Sequence, residues 1–180
     1  MNLMEILKQT LWNQFGAGID MLAHTVKALP ESSWSPKSKP YYLSYHTALF
    51  LDYYLTIPPT NYKPLLPYQL VPWEEIPSSG VDDLLPERPY SQAELREFIT
   101  SARSKCKNLI RSLDEKIVNA PWIEKPDEIA GAMTLNYTVL EILLYNLRHL
   151  QHHTGQLNFI LRQLTGKPVD WVADVEKLVD

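Results

Sequence analysis

His149 and His153 stand four residues apart in the run Asn146-Leu-Arg-His-Leu-Gln-His-His-Thr-Gly-Gln156. On a helix, residues at i and i+4 lie one above the other on the same face, with Cβ atoms about 5–6 Å apart. Two imidazoles in that relation can grip one metal ion. A third histidine, His46, sits at the middle of a second apolar face, with Tyr42, Leu43, Leu49 and Phe50 three and four residues away. Tyr53 and Ile57 continue that face. A buried imidazole without a partner costs about 1–3 kcal/mol, and two inward histidines on another helix are the obvious partners. Three imidazoles leave a tetrahedral ion one open position, which is the arrangement of a Lewis-acid site.

A helical wheel at about 100° per residue separates the neighbours in this run. His149 and His153 fall on the flank of the apolar side, in line with Ile142 and Ile160, while His152 falls with Glu141 and Arg148 on the polar side. Gln156, three residues after His153, reaches the histidine face and is a candidate to orient a ligand or line a pocket. Tyr53 is the matching candidate on the second helix, and Trp73 is a candidate pocket wall. Leu150 stands where a zinc-protease motif has Glu, and no Glu-x-x-His pair of a di-iron bundle is present. Cys106 lies on a core stripe and reads as a buried thiol. His24, near the end of the first helix, favours the helix dipole and carries no chemistry. Glu74-Glu75 and Asp82-Asp83 read as solvated loop charges.

Four amphipathic stretches must position these residues. The first, about 2–29, carries Leu11, Phe15, Ile19, Leu22 and Val26 and stops before Pro30. The second, about 40–57, stops at Pro58-Pro59. The third, about 91–119, opens on the capping-box pattern Ser91-Gln-Ala-Glu94, and the fourth, about 138–165, opens on Thr138-Val-Leu-Glu141 and stops at Gly166. The spacing predicts an all-α single domain over 1–180, a four-helix bundle with a long crossover between helices 2 and 3. That crossover, residues 58–90, holds eight prolines together with Leu65, Leu66, Leu70, Trp73 and Ile76. Its apolar content predicts an ordered segment lying on the bundle. A short docking helix is expected at about 170–179.

The 180 residues are 45% hydrophobic with a net charge of −4. Lysines and arginines are scattered, so nucleic acid is not an expected partner. No apolar run approaches membrane-spanning length. One cysteine and an N-terminus without a basic start or cleavage site suit a reducing, cytoplasmic setting. Association into a homodimer through exposed helix faces is compatible with the pattern.

The segment Ser44-Tyr-His46-Thr-Ala together with His149-Leu-Gln-His-His153-Thr-Gly-Gln156 resembles the DinB/YfiT-like superfamily of four-helix-bundle proteins. Its last-helix motif commonly reads His-x-x-x-His-Arg-Gly-Gln; here Thr154 replaces the Arg, and Gly155 and Gln156 match. The resemblance spans about residues 10–166. It implies that His46, His149 and His153 bind a divalent metal, commonly zinc or nickel. It further implies a metal-dependent hydrolase or a transferase that activates a low-molecular-weight thiol, as in bacillithiol-dependent transferases and mycothiol-dependent isomerases. The alternative from the residues alone is a non-catalytic binding or stress-response module, in which the histidines form a buried hydrogen-bond network.

Overall fold

The structure is a computed structural model and describes residues 2–124 and 135–178. Four long helices dominate these residues: α1 (Leu3–Ala28), α2 (Lys39–Tyr54), α3 (Gln92–Ser112) and α5 (Val139–Thr165), with a single turn, α4 (Glu115–Val118), after α3. Two short antiparallel pairs accompany them. β1 (Tyr68–Leu70) pairs with β2 (Leu84–Pro86) inside the α2–α3 connection, and β3 (Pro121–Ile123) pairs with β4 (Asn136–Thr138) ahead of α5. These three-residue strands are too short to leave a period-2 signal, which is why the sequence read as purely helical.

Local chemistry sets the helix ends. Asn2 caps α1 by accepting from the Glu5 amide, and the helix stops at Leu29 because a residue preceding proline avoids the α region. Both expected capping boxes form. Ser91 and Glu94 close one at α3, and Thr138 and Glu141 close the other at α5. Gly166 ends α5 with φ 72°, a left-handed conformation that a Cβ would penalise.

Packing is cyclic: α1 touches α3 and α5, and α2 touches the same two helices. The core is built on Trp12, Phe15, Tyr45, Tyr53, Phe98 and Trp122, all buried. α2 is buried nearly all round; only Lys39 and Tyr42 among its residues escape full burial. A helix enclosed in this way is typical of the centre of a domain, and it places His46 in the interior. No helix among the described residues is long and apolar enough to cross a membrane.

Three boundary expectations are corrected. The second helix ends at Tyr54, three residues earlier than expected. The third does not run to 119. Leu113 leaves the helical region, and Asp114 starts a new turn by accepting from the Ile117 amide at 2.7 Å. The expected tail helix is absent. Residues 167–178 have no regular secondary structure and lie instead across α1 and α3. The buried Trp12 indole N–H donates to the Glu176 carbonyl at 2.7 Å, and the Glu176 carboxylate meets Arg103 and Lys107, each at 3.0 Å. Side-chain and backbone anchors spread along an extended segment outweigh the single turn or two of helix that it could form.

The α2–α3 connection lies on the bundle through particular residues. Leu66, Leu84, Leu85 and Tyr90 are buried, and the Tyr45 hydroxyl donates to the Leu66 and Pro67 carbonyls at 2.8 and 2.9 Å. Only part of its apolar content is covered: Leu65, Leu70 and Trp73 are exposed.

Candidate metal centre

α2 and α5 pack side by side, and their contact brings His46 to the pair on α5. One ring nitrogen from each of His46, His149 and His153 lies within 4.8 Å of the others. The His46 and His149 Nε2 atoms are 3.1 Å apart, and the His149 and His153 ring centres are 4.4 Å apart. His46 is buried, the other two half-buried. His152 points outward and is exposed, as the wheel requires.

Two of the three outer nitrogens have partners. His46 Nδ1 is 2.7 Å from Asp82 Oδ2, so its N–H faces a carboxylate and its Nε2 lone pair faces the centre. His153 Nδ1 donates to Gln156 Oε1 at 2.8 Å, and the Gln156 amide N–H₂ donates to His152 Nε2 at 3.2 Å. That chain of donors leaves His153 Nε2 free. His149 Nδ1 is buried with no partner. Fixing one imidazole nitrogen by an acceptor sets the tautomer and turns the other into a directed ligand.

Burial keeps the two α5 rings, His149 and His153, neutral. Desolvation, followed by the neighbouring His46, His153 and His152, pushes His149 down to about 2. Desolvation lowers His153 to about 4, against an opposing contribution from its bond to Gln156. Neutral imidazole is the form that binds a metal. The donor set therefore fits a divalent ion: three ring nitrogens converge, two of them facing at 3.1 Å. Across a tetrahedral centre with bonds of about 2.0–2.1 Å, ligand nitrogens stand roughly 3.3 Å apart.

Asp82 is not the solvated loop charge its sequence context suggests: it lies against His46, with its second oxygen accepting from the Leu84 amide at 3.1 Å. Tyr53 does not reach the centre. Its hydroxyl donates to Glu124 Oε1 at 2.9 Å on another side of α2. The next residue, Tyr54, takes the expected place, its ring centre 5.8 Å from that of His149. Phe50 completes the aromatic surround, 4.7 Å from the His46 ring. Trp73 is exposed. Cys106 is buried, and burial holds its thiol protonated far above the ordinary range.

A cleft of about 610 Å³ opens beside the centre, with His153 and Gln156 on one side and Lys39, Leu43 and Val81 on the other.

A model of the DinB superfamily matches residues 14–157, which is 144 of the 180 residues and includes all three histidines. The chain belongs to the DinB superfamily. Searches of curated proteins and of solved structures found no match. In this DinB chain the position that carries Arg in the common motif is Thr154, which is buried with its hydroxyl unpartnered. It faces the core beside Leu150 and Leu157 rather than the cleft. Gly155 and Gln156, by contrast, line the cleft.

Proposed function

We propose that this DinB protein binds one divalent ion, zinc or nickel, through His46, His149 and His153, and acts on a small molecule admitted by the adjacent cleft. The observation that carries the reading is the convergence of three ring nitrogens within 4.8 Å from helices far apart in sequence. When bound, such an ion would supply Lewis acidity beside the cleft that His153 lines. The chain's own residues do the rest. Asp82 holds the His46 ring, Gln156 holds the His153 ring, and Phe50 and Tyr54 shield the inner side from water. The reaction class is metal-dependent hydrolysis or transfer of a low-molecular-weight thiol, carried out in the cytoplasm by a single domain that self-associates as a homodimer.

Metal analysis of protein purified without chelator or metal-affinity resin tests this. About one ion per chain is expected, lost in His149→Ala and His153→Ala and retained in His152→Ala. A second reading is favoured by one distance: at 3.1 Å the two Nε2 atoms are also within hydrogen-bond range. The site would then be a buried network in a non-catalytic module. Metal-free protein that melts lower as His149→Ala, with no effect of chelator, supports that reading and overturns the first.

A further inference from the structure

The cleft beside His153 carries chemical information of its own. Its apolar walls are Leu43, Val81, Phe159 and Ile160, and its lining contains no carboxylate side chain. The one fully charged side chain is Lys39, whose ammonium donates to the Gly80 carbonyl at 3.1 Å and has no acidic partner among the described residues. Phe159 is 63% exposed at the rim, leaving a large apolar surface for something to cover. Between them, on the side of α5 that lines the cleft, sits Gly155.

That glycine is unexplained by the chain itself. It lies in mid-helix, where glycine is destabilising relative to alanine, yet it has an ordinary helical backbone, and a Cβ built on it would meet nothing within 4 Å. No neighbouring side chain or backbone needs the room. Glycine in such a place permits close approach of another molecule to the helix backbone.

We propose that the cleft binds an apolar monocarboxylate, its hydrocarbon body lying over Gly155 between Phe159 and the Leu43–Val81 wall and its carboxylate meeting Lys39. Apolar walls with one placed charge are the usual composition of a small-molecule site. Position also fits: Lys39 opens α2, where the helix dipole adds positive potential. The proposal rests on the reading of His153 as part of the reactive centre only for its relevance to turnover; the binding itself is separable.

The test uses 3-phenylpropanoate and its neutral counterpart 3-phenylpropanol, titrated into the full chain by calorimetry or NMR, in metal-loaded and chelator-treated protein. The acid is expected to bind at least tenfold more tightly than the alcohol in both preparations. Lys39→Gln keeps a donor for the Gly80 carbonyl and removes the charge, so it should bring the two affinities together. Lys39→Arg should keep them apart. Gly155→Leu should weaken both ligands more than tenfold while leaving the melting temperature no lower. Equal binding of acid and alcohol by the unaltered chain overturns the proposal, as does full affinity in Gly155→Leu. Acid binding that vanishes with the metal and ignores Lys39 also overturns it, by locating the carboxylate on the ion. Lys39-dependent binding in a protein that never holds metal would uphold the cleft and remove the metal centre.

Discussion

Asp82 Oδ2 lies 2.7 Å from His46 Nδ1, linking a loop of the α2–α3 connection to the centre of α2. A carboxylate in this relation fixes the tautomer of the imidazole and raises its basicity toward a metal. Asp82→Asn keeps the size and removes the charge. Metal affinity, measured by competition with a chromophoric chelator, is expected to fall about 10–100-fold, with the helical circular dichroism unchanged. Unaltered affinity would show that His46 needs no such partner.

Acid should weaken the fold and release the metal together. His149 and His153 are held to about 2 and about 4, both below the ordinary histidine value. With folded values below the unfolded one, the unfolded chain binds more protons between them, so stability is complete above about pH 6.5 and declines as pH falls toward 4. Glu94 and Glu176, each lowered to about 2 by Arg88 and Arg103 respectively, extend the loss below pH 4.5. Thermal melts of chelator-treated protein at pH 7.5, 6 and 5 should step downward. His149→Leu should make the decline above pH 4.5 shallower, with His153 supplying what remains. A melting temperature that rises on acidification would contradict the buried, neutral state of these rings.

Gly155→Ala tests helix energetics apart from function. An added methyl group meets no atom within 4 Å, so the substitution removes a helix-breaking residue without a steric cost. A gain of about 0.5–1 kcal/mol is expected, or roughly 1–4 °C in melting temperature for a chain of this size. Destabilisation would mean that the backbone at this position is not the regular helix described.

Thr138→Ala removes half of the capping box that starts α5, where Thr138 Oγ1 accepts from the Glu141 amide at 3.2 Å and the Glu141 carboxylate accepts from the Thr138 amide at 2.8 Å. A loss of about 1 kcal/mol is expected, read by denaturant unfolding. Metal content at pH 7.5 should stay the same, because His149 lies about three turns further along. A matching drop in metal content would show that the ligand pair depends on the helix start.

Periodicity and capping chemistry were readable wherever one side of an element is wet. α3 and α5 have that contrast, and Ser91 and Thr138 mark their starts to the residue. α2 does not, being enclosed on all sides, so the wheel could assign His46 to the interior yet could not tell the side of Tyr53 from that of Tyr54. Asp82 was illegible for another reason: its partner is 36 residues away, and an acidic pair in a proline-rich loop has the same local appearance whether solvated or docked. Asp114 did carry a local sign, as an N-cap residue ahead of Glu115, and the continuous stripe through Leu113 and Ile117 masked it. The tail follows Trp12 and Gly16, residues at the opposite end of the chain, and no window of sequence contains both partners.

His46 and His149 are separated by 103 positions along the chain, and the second and third imidazoles arrive only with the last long helix. A nascent polypeptide that has grown through Asp82 therefore owns a single oriented ring and can retain no ion. Any ion these three rings hold would therefore be acquired only after α5 is made, and its identity would be set by the ion pool met after that point, not by any order built into chain growth.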